Sequence, residues 1–466
     1  MKLFGTAGIR MKYPGELDPV LAYKIGLAVA KLGLSSNAYI VYDTRTTNHL
    51  FTLSIASGLL AGGINVYIIG LAPTPIAAYA ARKYRGIGVS VTASHNPPEY
   101  NGFKFYDPEG YEFTRDIERV IEKTVDEELE PIAWSRVGKA YYLEGVIDDY
   151  IEDMVDKIGE FKTRWNPYIV VDIANGATGY VTPRIIRLLG GKPVAINANP
   201  DGFFPIRVPE PRRDALEKYL ELYSSVKPAV ILAHDGDGDR LAVLDPAKGF
   251  IRQDRVIAFY AYKLLQEKKG RVIVSIDTGR VVDDVVEKMG GSIERWVLGK
   301  THERVKELGV ENIVLAAEPW KLIDPRWGPW VDGIWQVALI TREVLEKGKR
   351  FIDLLDEYGI PDYPWDRRSY VLEPPGMRER VYRDLVEELK GLLGDPERVL
   401  DIDGYRFEYS DGSWILIRMS GTEPKIRIYA EALDKNRLEY MIEKTESKLA
   451  EIASRHGCRI VEKTIG

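Results

Sequence analysis

One pattern of apolar and polar positions occurs three times along the chain. Each copy begins with a short apolar run that ends in an aspartate, continues with helical periodicity to a Gly-Gly pair, and closes with a second apolar run. The first runs are 40–42, 169–171 and 273–276, and they end in Asp43, Asp172 and Asp277. Paired glycines suit a helix end before a short turn. The order strand, helix, strand predicts an α/β fold with three similar domains and mixed, mostly parallel sheets.

The last hundred residues follow a different pattern. Apolar runs at 405–409 and 414–418 flank the turn residues 410–413, which predicts a β-hairpin. Residues 426–430 are typical of a further strand, and 437–452 have the periodicity of an amphipathic helix. These elements predict a smaller C-terminal α+β domain.

The domain boundaries follow from these patterns. The Pro-rich, charged segment 361–366 predicts the linker to the last domain. The predicted domains are residues 1–147, 148–248, 249–362 and 367–466.

Composition narrows the class of protein. Between Arg45 and Arg82 there is no charged side chain, but glycines and prolines interrupt this stretch, so we expect a buried α/β unit rather than a membrane span. The net charge of −6 gives no basic surface for nucleic acid or an acidic membrane. A single cysteine, Cys458, and an amino terminus without the apolar core of a signal peptide favour the cytoplasm.

The strongest chemical signal is an acidic loop after the apolar run 229–233. Asp235, Asp237 and Asp239 alternate with glycines, which brings hard oxygen ligands to one point and favours Mg²⁺ or Ca²⁺. An EF-hand does not fit, because its sixth and twelfth positions hold Arg240 and a proline. Open α/β sheets place ligands at the carboxyl ends of strands, which supports a metal site here. The alternative is a solvated acidic turn.

A serine loop at 92–98 follows the apolar strand 87–91, so Ser94 lies at a strand end. No Gly-x-Ser-x-Gly motif is present, and His95 adjoins Ser94 in sequence, so acyl transfer is weakly supported. A serine near a divalent cation fits a phosphoryl carrier better, because the cation can neutralise phosphate on the serine oxygen. Alternatively, Ser94 and Asn96 only shape a turn.

A second loop, at 418–424, offers groups that bind phosphate. Arg418 presents a rigid fork matched to phosphate oxygens. Ser420, Thr422 and the backbone N–H groups near Gly421 can form an anion-binding nest. The alternative is a capped turn with a solvated arginine.

Two cations complete the candidate chemistry. The Gly-rich segment 4–10 ends in Arg10, a weak signal when taken alone. Lys104 follows the serine loop and could act as an acid or base if it were buried beside a metal. From spacing alone, a surface lysine is the default expectation for Lys104.

Taken together, the motifs at 4–10, 92–97, 235–240 and 418–424 resemble those of the α-D-phosphohexomutase family, in the family's order. This family includes phosphoglucomutases, phosphomannomutases and phosphoglucosamine mutases. The resemblance implies three α/β domains and a smaller α+β domain around a central cleft. It also implies an intramolecular phosphotransferase (an isomerase) that needs Mg²⁺. Such an enzyme moves phosphate between the 1- and 6-positions of a hexose phosphate, through a phosphoserine and a hexose 1,6-bisphosphate.

The resemblance also implies a role for each candidate residue. Ser94 is the phosphoserine, and the groups that hold Mg²⁺ are Ser94, Asp235, Asp237 and Asp239. The groups near the transferring phosphoryl group are Arg10, Arg240, His95 and Lys104, of which His95 and Lys104 serve proton transfer or charge stabilisation. Glu318 accepts hydrogen bonds from sugar hydroxyls. The residues that hold the non-reacting phosphate are Arg418, Ser420, Gly421, Thr422 and Arg427.

One segment departs from the family pattern. The sugar-recognition loop usually reads Gly-Glu-x-Ser-Gly-His, and the matching stretch here is 317–322. The glutamate is kept as Glu318, but Trp320 replaces the serine and Leu322 replaces the histidine. Trp320 could stack on a sugar face or fill the core. The identity of the sugar therefore stays open.

Several functions remain open at this stage. Phosphoglucomutase/phosphomannomutase activity is the leading expectation, with phosphoglucosamine mutase as the alternative. A phosphatase that forms an aspartyl phosphate in the Asp235 loop and a non-catalytic sugar-phosphate binder are further alternatives. The sequence leaves the preferred hexose phosphate, the phosphorylation state of Ser94 and a homo-oligomeric assembly undecided.

Overall fold

A computed structural model describes residues 2–5, 7–419 and 425–465. The chain forms two compact units. The first comprises Met1–Ile257 and Gly299–Tyr358, and the second comprises Ala258–Leu298 and Gly359–Gly466. The third predicted domain is therefore divided between the two units.

The first part of the chain folds around a mixed six-stranded sheet. Its strands are β1 (Ile9–Lys12), β2 (Asn37–Tyr42), β3 (Asn65–Leu71), β4 (Ile87–Val91), β5 (Tyr100–Tyr106) and β6 (Ala140–Tyr142). The helices that accompany them are α1 (Pro19–Lys31), α2 (Asn48–Ala61), α3 (Thr74–Tyr84), α4 (Arg115–Val125) and α5 (Val146–Ile158). The strand order is β1-β5-β4-β2-β3-β6, and β5 runs antiparallel to both of its neighbours.

The stretch without charged residues between Arg45 and Arg82 contains α2, β3 and most of α3, so the predicted α/β unit is confirmed. Within the described residues, no helix combines the length and apolarity that a membrane crossing requires.

A five-stranded mixed sheet follows. Its strands are β7 (Tyr168–Asp172), β8 (Lys192–Ile196), β9 (Val230–His234), β10 (Leu241–Asp245) and β11 (Gly249–Ile251). The helices in this region are α6 (Thr182–Leu188), α7 (Arg213–Leu216) and α8 (Leu220–Ser224). The order is β11-β10-β9-β7-β8; β7 pairs parallel with β8 and β9, and β10 pairs antiparallel with β9.

The next elements belong to the third predicted domain. The elements are α9 (Gln253–Glu267), β12 (Arg271–Ser275), α10 (Arg280–Lys288), β13 (Ser292–Trp296), α11 (Thr301–Leu308), β14 (Ile313–Glu318), β15 (Lys321–Ile323), α12 (Gly333–Lys347) and α13 (Phe351–Glu357). In the second unit, β12 and β13 pair in parallel. In the first unit, β14 and β15 form an antiparallel hairpin, and Asp332 caps α12 by accepting from the N–H groups of Ile334 and Trp335.

The C-terminal region has a different, antiparallel sheet, as the sequence predicted. Its elements are β16 (Trp365–Glu373), α14 (Arg378–Leu392), β17 (Arg398–Leu400), β18 (Tyr405–Glu408), β19 (Trp414–Met419), β20 (Lys425–Glu431), α15 (Lys435–Arg455) and β21 (Arg459–Ile465). The order is β17-β18-β19-β20-β16-β21. The predicted hairpin is β18–β19. The predicted linker is wrong at residues 365 and 366, because these two residues pair with β20 as the start of β16.

Both strands that lead into the candidate loops are buried along their whole length. Every residue of β4 and of β9 is buried, because neighbouring strands and the layers above and below cover both faces. A buried strand can end in polar residues only where those residues find partners. The polar residues in the loops that follow β4 and β9 must therefore find partners inside the protein.

Candidate active site

The serine loop and the acidic loop meet at their centres. Ser94 Oγ donates a hydrogen bond to Asp235 Oδ2 at 2.7 Å. Ser94 is fully buried, as is Asp235. The structure thus brings together two groups that the sequence placed on separate domains, and the first unit contains both.

The serine loop is held in a strained conformation. Ser94 has a backbone φ of 49°, in the left-handed region that side chains other than glycine rarely adopt. Its N–H donates to Thr92 Oγ1 at 2.8 Å. Its carbonyl oxygen accepts from the buried guanidinium of Arg45 at 3.0 Å, and the carbonyl of Asn96 accepts from the same nitrogen at 2.7 Å. These bonds fix the direction in which the Ser94 hydroxyl points.

The acidic loop has the ligand atoms that a hard cation needs. One oxygen from each of Asp235, Asp237 and Asp239 lies within 4.8 Å of the others, and all three residues are buried. Among the described residues, Asp237 Oδ1 and Asp239 Oδ1 are buried without a hydrogen-bond partner. Buried carboxylate oxygens without partners are costly, and a divalent cation would satisfy them. The residues present therefore fit a metal ion.

Tight packing explains the glycines between these aspartates. Gly238 has a φ of +77°, and a Cβ at this position would lie 2.3 Å from Thr178 Cγ2.

Thr74, at the start of α3, anchors the acidic loop. It donates from Oγ1 to Asp237 Oδ2 at 2.6 Å. Its N–H donates to the Asp237 carbonyl at 2.8 Å. The loop is therefore clamped from two sides.

Lys104 lies beside the acidic loop and is only 2% exposed, so the default expectation of a surface lysine is wrong. Its Nζ is 2.6 Å from Asp237 Oδ2 and 2.7 Å from Asp239 Oδ2. Burial alone would lower the pKa of Lys104, but the two carboxylates outweigh burial and raise that pKa above its ordinary value. Lys104 is therefore a fixed positive charge in this arrangement.

The register of the first sheet explains how Lys104 reaches this place. β5 pairs with β4 so that Lys104 lies opposite Ser90, four positions before Ser94. β5 also pairs with β1, and Gly102 there lies opposite Arg10. One strand therefore connects the serine loop with both cations.

His95 and Arg10 lie beside the serine, and Arg240 follows the acidic loop. His95 Nδ1 is 3.5 Å from Ser94 Oγ and 3.1 Å from a terminal nitrogen of Arg10. Burial, together with the charges of Arg240 and Arg10, lowers the pKa of His95 well below its usual value. Arg240 lies 3.5 Å from Glu210 Oε1, which holds its guanidinium in place. His95 Nδ1 thus accepts a hydrogen bond from Arg10, and burial disfavours the charged form of the imidazole.

The sugar-recognition loop is the β14–β15 hairpin. Glu318 Oε1 accepts from Thr301 Oγ1 at 2.9 Å, from Gly299 N at 2.9 Å and from Thr301 N at 3.2 Å. The carboxylate predicted to bind sugar therefore also holds the turn that opens α11. Leu322 is buried in the core, and Trp320 packs partly against the core of the second sheet. The Trp320 ring also lies 5.9 Å from the Arg240 guanidinium.

The predicted phosphate loop belongs to the second unit. Arg418 on β19 lies opposite Arg427 on β20, and Arg418 forms a 2.7 Å ion pair with Asp403. Ser420, Gly421 and Thr422 lie outside the described residues, as does Thr6 of the amino-terminal motif.

Sequence reasoning missed the residues that support the two loops from behind. At the end of β2, Asp43 pairs with Arg45 at 3.1 Å, and Arg45 holds the serine loop. At the end of β7, Asp172 pairs with Arg207 at 3.0 Å, and Arg207 donates to the carbonyl of His234 at 2.7 Å, just before the acidic loop. The aspartates at the ends of the repeated strands were the available signal. Only the fold shows that Asp43 and Asp172 each hold an arginine against a loop.

Comparisons with known proteins agree with this architecture. Residues 1–131 match the family model for phosphoglucomutase/phosphomannomutase α/β/α domain I, residues 148–249 match that for domain II, and residues 377–448 match that for the C-terminal domain. A phosphopentomutase from Thermococcus kodakarensis is 38% identical over 97% of this chain and 98% of its own length. A probable phosphoglucosamine mutase from Pyrococcus furiosus is 35% identical over 97% and 98%. A crystal structure of a phosphoglucomutase/phosphomannomutase family protein from Burkholderia thailandensis has a TM-score of 0.84 and 26% identity, covering 98% of this chain and 99% of that one.

These matches place the chain in the class of phosphomutases, which are isomerases that transfer phosphate intramolecularly. The chain belongs to the α-D-phosphohexomutase superfamily. The fold class predicted from the sequence is confirmed.

Proposed function

We propose that this enzyme interconverts hexose 1-phosphate and hexose 6-phosphate through a phosphorylated Ser94 and a hexose 1,6-bisphosphate. The observation that carries the proposal is the 2.7 Å hydrogen bond between Ser94 Oγ and Asp235 Oδ2. It places the Ser94 hydroxyl directly at a cluster of carboxylates suited to a divalent cation. A serine that only shaped a turn would have no need of that position.

Mg²⁺ is the proposed cation, held by Asp235, Asp237, Asp239 and an oxygen on Ser94. When bound, it neutralises negative charge on the phosphoryl group. Carboxylate oxygens are the ligands that Mg²⁺ prefers. Lys104 already satisfies one oxygen of Asp237 and one of Asp239, which leaves the Oδ1 atoms of both residues for the ion.

The protein groups have separate tasks in the transfer. The P–O bond to Ser94 Oγ breaks while a P–O bond to a sugar hydroxyl oxygen forms, and the proton that this hydroxyl loses ends on Ser94 Oγ, which becomes a serine hydroxyl again. His95 Nδ1, 3.5 Å from Ser94 Oγ, accepts a hydrogen bond from Arg10 and so holds that guanidinium near the serine, while Arg10 and Arg240 add positive charge. Arg45 keeps the loop in place, so little reorganisation is needed when the phosphoryl group arrives.

The other end of the bisphosphate needs a separate binding site. The proposed residues are Arg418, Ser420, Gly421, Thr422 and Arg427, whose guanidinium and N–H groups suit phosphate oxygens. Such a site holds the non-reacting phosphate in either orientation of the intermediate.

Glucose and mannose phosphates are the proposed substrates. Other sugar phosphates are alternative substrates for two reasons. The first is that relatives 35–38% identical over nearly the whole chain are named for glucosamine phosphate or pentose phosphate. The altered sugar loop, with Trp320 and Leu322, is consistent with a sugar preference that differs from the usual one.

The test is a substrate panel with the purified protein, Mg²⁺ and a trace of the matching bisphosphate. The panel contains the 1-phosphates of glucose, mannose, glucosamine and ribose. We expect conversion of at least one into its 6- or 5-phosphate, together with phosphate on Ser94 detected by mass spectrometry. Phosphate on an aspartate would favour the phosphatase alternative. Ligand-dependent stabilisation without turnover of any sugar would favour a sugar-phosphate binder.

A further inference from the structure

The tip of the sugar hairpin is attached to the acidic loop. Trp320 has a φ of 67°, and its carbonyl accepts from Leu241 N at 3.0 Å and from Gln336 Nε2 at 3.1 Å. Leu241 follows Asp239 by two positions. At the start of α12, the N–H of Gly333 donates to the Gly238 carbonyl at 3.2 Å. These bonds hold the hairpin at a fixed distance from the proposed cation ligands.

Lys321 is the next residue after this attachment. It opens β15 opposite Glu318, and its side chain is half-buried. Leu322 is buried in the core, so the position that the family pattern fills with histidine contributes no polar group. Lys321 is therefore the first ionisable side chain that this hairpin offers after Glu318.

The ammonium group of Lys321 is not used by the fold. Within the described ranges, Lys321 Nζ forms no hydrogen bond and no ion pair. The hairpin nevertheless brings Lys321 to the acidic loop, because the carbonyl of the preceding residue, Trp320, accepts from Leu241 N and the Trp320 ring lies 5.9 Å from the Arg240 guanidinium. Lys321 is thus an uncommitted cation next to the acidic loop.

We propose that Lys321 is an additional catalytic cation, whose ammonium group contacts the phosphoryl group as it moves between Ser94 and the sugar. This inference rests on the proposed mutase function. Lysine suits the task, because a compact charge with three donors on a flexible stem can follow a moving phosphoryl group. Negative charge on the phosphoryl oxygens is stabilised by cations held ready nearby. The proposed role of Lys321 uses only its charge and its hydrogen-bond donors, so the balance of the transfer step is unchanged.

Single-turnover transfer tests the proposal. The protein is phosphorylated on Ser94 with the bisphosphate of its best substrate and mixed with that sugar phosphate, and the loss of phosphate from Ser94 is followed by rapid quench. We expect Lys321→Met to slow the transfer about tenfold to a hundredfold. We expect Lys321→Arg, which keeps the charge, to recover most of the rate. Lys24→Met, in the exposed middle of α1, is the matched control.

The outcomes separate the two proposals. Lys321→Met that transfers phosphate as fast as wild type would overturn the role of Lys321 and leave the mutase function intact. Equal losses in Lys321→Met and Lys321→Arg would also overturn it, because the charge would then be irrelevant. Wild-type protein that never acquires phosphate on Ser94 would refute the mutase mechanism itself, and this inference with it. Melting temperatures within about two degrees of wild type exclude unfolding as the cause of a slow transfer.

Discussion

Ser94 Oγ and Asp235 Oδ2 are hydrogen-bonded at 2.7 Å although 141 positions separate the two residues along the chain. The loops that carry them follow the buried strands β4 and β9, which lie in different sheets. Packing of the two sheets within the first unit is therefore what assembles a hydroxyl and a cation-binding cluster into one site.

This contact makes Ser94 the residue whose loss should matter most. We predict that Ser94→Ala lowers turnover by at least about a thousandfold, because the phosphoryl carrier is removed while the acidic loop remains. The measurement is the rate of formation of the sugar 6- or 5-phosphate. Ser57→Ala is the matched control, because among the described residues that exposed hydroxyl bonds only to the carbonyl of Leu53 in its own helix. A Ser94→Ala variant with more than a tenth of the wild-type rate would contradict the prediction.

Lys104 should control how strongly the acidic loop binds its cation. Lys104→Met removes the charge that faces Asp237 and Asp239, so metal-free protein should lose about 3–5 kcal/mol of stability. The same change makes the site more negative, so Mg²⁺ should bind more tightly. We therefore predict that Mg²⁺ raises the melting temperature of Lys104→Met more than that of wild type.

The comparison for Lys104 is made by thermal melting in EDTA and then in excess Mg²⁺. Lys24→Met again serves as the control, because it removes an exposed lysine far from the acidic loop in sequence. Equal Mg²⁺-dependent shifts for wild type and Lys104→Met would show that Lys104 and the cation do not share these carboxylates. Turnover should stop in EDTA and return with Mg²⁺.

Arg45 should determine the shape of the serine loop without touching the substrate. Its guanidinium donates to four carbonyls of residues 94–100, and Asp43 holds it from the other side. We predict that Arg45→Met slows phosphorylation of Ser94 by the bisphosphate at least tenfold and lowers stability by about 3–5 kcal/mol. Arg45→Lys keeps the charge but not the fork, so it should recover stability better than rate.

Removal of an exposed arginine provides the reference for Arg45. Arg119 forms an exposed surface pair with Asp116, so Arg119→Met should change neither quantity by more than the small contribution of such pairs. If Arg45→Met were destabilised but phosphorylated at the wild-type rate, Arg45 would be a structural residue alone.

The sequence predicted those parts of the protein that depend on local pattern. Largely apolar runs predicted β4 and β9, and the loop after β9 was identified because alternating glycines and carboxylates have few other uses. The position of Lys104 could not be predicted, because it depends on the register of β5 against β4. The left-handed backbone of Ser94 has no sequence signature either, since glycine is the residue that usually marks it.

Local pattern and tertiary packing also contribute differently to the residues that support the two loops. Asp43 and Asp172 were visible as the ends of a repeated strand, but each has a task only because a buried arginine reaches from it to a loop carbonyl. Arg45 is two positions from its aspartate, whereas Arg207 is 35 positions from Asp172. A repeat in sequence therefore indicated a repeat in structure, while the contacts that position the chemistry were set by tertiary packing.

A substitution of Trp320 can distinguish two roles for its side chain, which are positioning of Arg240 and contact with the sugar. Its ring lies 5.9 Å from the Arg240 guanidinium, a contact worth about 1 kcal/mol, and packs partly on the core of the second sheet. Because the contact is with Arg240, we predict that Trp320→Ser slows turnover of every sugar phosphate by a similar factor of about 3 to 10, leaving their order unchanged. Trp320→Phe keeps an aromatic face and should stay near the wild-type rate. The measurement is kcat/KM across the glucose, mannose, glucosamine and ribose phosphates. A change in the order of preference would show instead that the indole contacts the sugar.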